Sequence, residues 1–157
     1  MDDQKQIREH LLELLEGKSA HVAIEAALRG FPINQINERP DGSPHTPWEL
    51  LEHMRIAQWD ILEFTRNGSH VSPEFPDGYW NRTFATAMDW QTSAEQVLAD
   101  LQAMRDLVAN ENIGLFTAIP HGNGQTILRE ALVLADHNSY HLGQIMLLRK
   151  ILESGPM

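Results

Sequence analysis

The chain has 157 residues, of which 42% are hydrophobic and 22% are charged. These values are ordinary for one soluble globular domain with its own core, so we predict a single domain over residues 1–157. The formal net charge is −10, only three residues are Lys, and the Arg residues are scattered, so we expect neither nucleic acid nor an anionic membrane as a partner. With no Cys in the chain, disulfides, thiolate metal sites and cysteine nucleophiles are excluded.

The chain carries no sign of export or membrane insertion. No apolar run approaches the roughly 20 residues that span a bilayer. The acidic start, MDDQKQIREHLLELL, lacks the basic segment and apolar centre of a signal peptide. We therefore expect a cytoplasmic protein.

The first helical element is predicted in two pieces. Apolar residues recur at helical spacing over residues 3–16, and Gly17 ends this piece. Ser19 can cap a second piece, Ala20–Arg29. The inner face of the second piece is predicted to be small, with Val22, Ala23, Ala26 and Ala27.

The second long helix has a clear start after a proline-rich loop at residues 31–47. Thr46 is the expected N-cap, a proline suits the first helical position, and Glu49 completes a capping box. We predict a helix over Pro47–Thr65, in which His53 lies beside the apolar stripe. The predicted inner residues are Leu50, Met54, Ala57, Ile61 and Phe64.

A second loop and a third long helix follow. The loop at residues 67–82 is rich in Pro and Gly, and Tyr79 and Trp80 are predicted to pack as a plug. The third helix is predicted to begin near Asp89 or Thr92. It should end at about residue 109, before another glycine-containing loop.

The last helix, predicted over Thr126–Leu152, combines an apolar stripe with polar side chains. Apolar or small residues recur at positions 127, 131, 134, 145, 148 and 152. Asn138 and His141 fall on the same stripe, and His137 lies one turn before His141. Because burying unpartnered polar groups is costly, this cluster suggests a bound metal ion.

No segment shows the alternation of a strand, and no internal repeat is visible. The predicted fold is therefore all-α, an up-down four-helix bundle with long inter-helix loops.

Three histidines form the candidate metal site. His137 and His141 are spaced i, i+4, which places both imidazoles on one helix face. His53 on the second helix is the natural third ligand. Three neutral imidazoles leave an ion at least one open coordination position, as in catalytic sites. The alternative is that these are core histidines satisfied by hydrogen bonds, since chance alone gives roughly 0.4 such spacings in a chain with this histidine content.

Other polar residues have two interpretations each. Glu130 could accept a hydrogen bond from a metal-bound imidazole or pair with an Arg at the surface. Glu49 could act as a base near the ion, although capping already explains it, and Asn138 could contact a ligand or make a structural hydrogen bond. Tyr140 and Gln144 neighbour the histidine pair. The remaining histidines are predicted in loops that could fold over the site (His45, His121) or on the surface (His10, His21, His70).

Three segments carry a resemblance to a known family: REALVLADHNSYHLGQIMLLRKIL, PWELLEHMRIAQWDIL and FPDGYW. Together they resemble the DinB-like (YfiT-like) family of metal-dependent bacterial enzymes, in the family's order and over nearly the whole chain. The resemblance implies a four-helix bundle with a divalent ion, zinc or nickel, on His53, His137 and His141. It also implies a homodimer and, as in some relatives, thiol-dependent transferase or isomerase chemistry.

Three functions follow from these patterns. The first is an enzyme that uses the ion as a Lewis acid for hydrolysis or for thiol transfer on a small molecule, with a low-molecular-weight thiol as cosubstrate because the chain has no Cys. The second is a stress-response module that binds a metal or small ligand without turnover. The third is a structural bundle that dimerises through its helices. Four tryptophans are expected to anchor the core or the loops: Trp48, Trp59, Trp80 and Trp90.

Overall fold

The computed structural model describes residues 3–155, and this part of the chain is all-helical, as predicted. Two short 3-10 turns, at Ile33–Gln35 and Asp77–Tyr79, lie in the connections. None of the described helices is long and apolar enough to cross a membrane. The five helices of the described chain are α1 (Asp3–Glu16), α2 (Ile24–Arg29), α3 (Pro47–Arg66), α4 (Ala87–Ala109) and α5 (Ile127–Ser154).

The long helices pack around α3. It lies against both α4 and α5, and α1 lies against the same two helices. One apolar cluster joins α2 to the N-terminal half of α3 and includes Leu51, Met54 and Ile145. A second joins α1 to the other half and includes Leu62 and Met104. This packing brings α3 and α5, the helices with the candidate ligands, side by side.

Threonine caps set the starts of the three long helices. At α3 the Thr46 hydroxyl accepts from the Glu49 N–H at 3.1 Å, and the Glu49 carboxylate accepts from the Thr46 N–H at 3.0 Å, so the predicted capping box is confirmed. Thr86 and Asp89 form the same arrangement at α4. That helix therefore begins at Ala87, slightly before the predicted start.

The predicted start of α2 is wrong. The helix begins at Ile24, its N-cap position is Ala23, and no side chain caps it. Residues 18–23 are irregular instead, with bends at residues 19–21, and His21 in this segment contacts the Val22 carbonyl and the Ser139 hydroxyl of α5. The buried face is correspondingly different from the one predicted, and consists of Ile24, Ala27 and Leu28.

A polar contact lies between the two apolar clusters. The Asn138 amide donates to the Gln58 carbonyl oxygen at 2.6 Å, and the Gln58 amide donates to the Val97 carbonyl at 2.6 Å. Asn138 therefore makes the structural hydrogen bond that its position on the apolar stripe suggested.

Asp100 on α4 is buried with an unpaired oxygen. Its Oδ1 accepts from Gln96 at 2.8 Å, whereas Oδ2 has no hydrogen-bond partner among the described residues. Burial raises the pKa of Asp100 above its ordinary value of 3.8. The folded chain therefore keeps this proton at pH values where the unfolded chain has lost it, so stability falls as pH rises through that interval.

We expect Asp100→Asn to raise the free energy of unfolding at neutral pH by about 1 kcal/mol, because it removes a buried charge. The gain should vanish at about pH 3, where the Asp100 carboxyl is protonated in both states. Urea denaturation at both pH values measures this. An equal gain at both would contradict the charge-based explanation.

Candidate metal centre

The structure brings the three predicted histidines together. His53 comes from α3, and His137 and His141 come from adjacent turns of α5. Each offers one ring nitrogen, and these atoms all lie within 4.8 Å of one another. The Nε2 atoms of His53 and His137 are 3.1 Å apart. A single ion could therefore reach one nitrogen of each ring.

Two of the rings are oriented by fixed oxygen acceptors. Nδ1 of His53 lies 3.0 Å from the Tyr79 carbonyl, and Nδ1 of His141 lies 2.6 Å from Oε1 of Gln144. Because these oxygens only accept, Nδ1 carries the ring proton in both histidines. Each then offers the lone pair of Nε2, which is the arrangement that metal-bound imidazoles adopt when their other nitrogen is hydrogen-bonded.

Burial keeps the cluster neutral. It lowers the pKa of His137 to about 4, with a further contribution from the neighbouring imidazoles. It also lowers the pKa of His141 to about 4, against the opposing effect of the hydrogen bond that His141 donates to Gln144. The pKa of His53 is lowered by burial as well. At neutral pH all three rings are therefore uncharged, so no proton has to be displaced before a cation binds.

The donor set fits a divalent transition metal. Nδ1 of His137 is buried and has no hydrogen-bond partner in the part of the chain that the structure describes, and the neighbour of its Nε2 is another imidazole nitrogen. The imidazoles thus leave at least one polar atom unsatisfied, although buried polar groups are normally paired. Three neutral nitrogen donors are a set that zinc and nickel both accept.

A model of the DinB superfamily matches residues 18–145, a range that contains all three histidines. The chain belongs to the DinB superfamily. The resemblance drawn from the sequence is thereby confirmed. Searches of curated proteins and of solved structures gave no match.

In this DinB chain, the loop before α4 covers His53. The Trp80 ring stacks on His53 with centroids 4.0 Å apart and an interplanar angle of 5°. The Trp80 ring also stacks on the His45 ring, again with centroids 4.0 Å apart. The Tyr79 hydroxyl donates to Asp60 on α3 at 2.6 Å. The predicted plug is therefore confirmed, and it also supplies the carbonyl that orients His53.

His70 differs from its prediction as a surface residue. Its side chain is only 6% exposed, and Nε2 lies 2.7 Å from Oδ1 of Asp60. The Trp59 ring meets it edge-on. Asp60 thus binds both ends of the covering loop, through His70 and Tyr79, which explains why a histidine in a glycine-rich loop is buried.

The two carboxylates considered for the site, Glu49 and Glu130, are engaged elsewhere, and so is Glu52, which precedes His53 in the chain. Glu49 caps α3 and accepts two hydrogen bonds from Arg39, at 2.7 and 2.9 Å. Glu130 pairs with its neighbour Arg129, as one of its two interpretations required. Its own side chain is buried, however, and not at the surface as predicted. Glu52 accepts from Arg55 and from the Ser93 hydroxyl.

Sequence reasoning left several neighbours of the site unassigned. Gln144 follows His141 by three residues, and that helical spacing was its only signal. The Tyr79 carbonyl is a backbone group, so no residue pattern could identify it. His45 was predicted in a loop that could fold over the site, and its stacking on Trp80 places it there. His121 instead bonds the Phe64 carbonyl and is exposed.

Proposed function

We propose that this DinB-superfamily chain is a metal-dependent enzyme in which His53, His137 and His141 hold one divalent ion, zinc or nickel. The observation that carries the proposal is the meeting of three neutral imidazole nitrogens within 4.8 Å. When bound, the ion supplies a Lewis acid with an open coordination position, suited to hydrolysis or to thiol transfer on a small molecule. We also infer that the first helical element (α1 and α2) and the long helices α3, α4 and α5 form one up-down four-helix bundle domain.

The chain's own residues would orient and shield this centre. The Tyr79 carbonyl and Gln144 hold the Nδ1 protons of His53 and His141, and Trp80 covers one face of His53. His45 is the neutral group that we propose accepts a proton. Burial lowers the pKa of His45, so its ring is neutral at pH 7. Its Nδ1 is buried 3.7 Å from Glu49, so we assign the proposed role to Nε2.

Because the chain has no Cys, a transferred thiol would be a low-molecular-weight cosubstrate. The alternative function is a metal- or ligand-binding stress-response module without turnover. The engagement of Glu49 and Glu52 in other contacts favours this alternative, since it leaves no free carboxylate base beside the histidines in the described chain. A homodimer and a cytoplasmic location stay predictions.

The test is turnover by zinc- and nickel-loaded protein against small esters and against electrophiles supplied with small thiols. Metal-free wild type and His137→Gln are the controls. We expect turnover in the loaded wild type alone. Tight metal binding without turnover on any substrate would instead support the binding module.

We expect Gln144→Leu to weaken zinc affinity by about 10- to 100-fold, because it removes the acceptor that orients His141. Gln144→Glu keeps an oxygen acceptor and should retain most of the affinity. Competition with a chromophoric chelator measures both. Equal affinities for the Leu and Glu variants would show that this hydrogen bond does not position the ligand.

A further inference from the structure

A groove lies beside the candidate metal centre, between the loop at residues 40–45 and the C-terminal half of α5. Its volume is about 270 Å³, near the lower end for small-molecule sites. The walls are aliphatic and consist of Leu50 from α3 with Leu147, Leu148 and Ile151 from α5. Leu147 and Ile151 are 59% and 44% exposed. The helix α5 therefore contributes large, partly exposed apolar side chains to the wall of the groove.

Two residues belong both to this groove and to the surroundings of the histidines. Gln144 lines the groove and accepts the hydrogen bond from Nδ1 of His141. His45 lines it too, and stacks on the Trp80 ring that covers His53. A molecule whose reacting end lies at the histidines could thus extend past these two side chains into the groove.

The charged side chains in and near the groove indicate which class of ligand it can bind. Among the described residues that line it there is no Lys or Arg, and Asp41 is the one charged side chain of that set. The nearby Arg39 is bonded to Glu49. An anionic group placed in the groove would lose hydration without gaining a counter-charge, which is unfavourable. An uncharged hydrocarbon group would instead remove apolar wall surface from water.

We propose that this groove binds an uncharged aliphatic group of the substrate. The inference that the reacting end of this substrate lies at the three histidines rests on the proposed function above. The groove is made by side chains other than the three histidines, so its own affinity for an alkyl chain does not depend on the ion.

The test uses 1-hexanol as the neutral probe and hexanoate as its anionic counterpart, titrated into the full chain and followed by amide NMR. We expect 1-hexanol to shift the amide signals of residues 41–43, 45 and 144–151. Hexanoate should bind metal-free protein at least about tenfold more weakly. The variant His137→Gln should bind 1-hexanol as wild type does, which keeps a failure of the metal proposal distinct from a failure of this one.

A matched pair of substitutions on α5 localises the binding. Ile151→Trp places a larger side chain on the groove wall and should weaken 1-hexanol binding by about tenfold. Leu132→Trp is the control, because Leu132 is 45% exposed on the same helix and does not line the groove. The proposal is overturned if wild type shows no shifts at the groove, if hexanoate binds metal-free protein as well as 1-hexanol does, or if the two Trp variants bind equally.

Discussion

Replacing His137 with Gln is expected to weaken zinc binding by more than about a hundredfold, because the substitution removes one of three nitrogen donors. The ring is buried next to two other imidazoles, so Gln should be accommodated without a new charge. Isothermal titration or chelator competition measures the affinity. His53→Gln and His141→Gln should behave in the same way, since each removes one donor.

The matched control is His10→Gln. His10 lies on α1, is largely exposed and is paired with Glu13 at 3.5 Å, away from the cluster, so the variant should bind zinc as wild type does. Zinc at about 100 times its Kd should also add about 2.7 kcal/mol to the free energy of unfolding of wild type. That gain should be absent from His137→Gln. Wild-type affinity in His137→Gln would be incompatible with a three-histidine site.

The second large effect is expected in the core. Trp90→Ala should lower the free energy of unfolding by about 3–5 kcal/mol. Trp90 is 2% exposed, its ring lies 5.0 Å from that of Phe31, and its indole N–H donates to the Leu28 carbonyl at 3.1 Å. Truncation therefore leaves a cavity between α2 and α4 and removes one of the hydrogen bonds that the Leu28 carbonyl accepts.

Trp59→Ala provides the control for this prediction, since Trp59 is 36% exposed and its ring meets that of His70 edge-on. We expect a loss of about 1 kcal/mol or less. Urea denaturation of both variants tests the difference. Equal losses would mean that α2 is not held by Trp90 in the way the structure indicates.

Much of the fold could be predicted because strong local signals coincide with the tertiary structure. The capping box at Thr46 and the long apolar stripe of the last helix each determine an element by themselves. The irregular segment before α2 was harder to predict, because its contact with α5 joins His21 to Ser139, more than a hundred residues away in the chain. Ser19 was a plausible cap by residue type alone.

In the candidate site, too, some features could be predicted from the sequence and others could not. The i, i+4 spacing places His137 and His141 on one helix face, and the packing of α3 against α5 adds His53. The orienting groups were harder to predict, because the Tyr79 carbonyl reaches His53 only through the folding of a loop. The burial of His70 likewise depends on its contact with Asp60, and the composition of the loop does not reveal that contact.

The most direct test of the metal centre is the metal content, by mass spectrometry, of protein purified without a histidine tag, beside His53→Ala and His137→Ala. We predict about one zinc or nickel ion per chain in wild type and loss of the ion in both variants. A wild-type protein that is empty as purified, and that takes up neither added zinc nor added nickel, would contradict the metal centre and the enzyme function built on it.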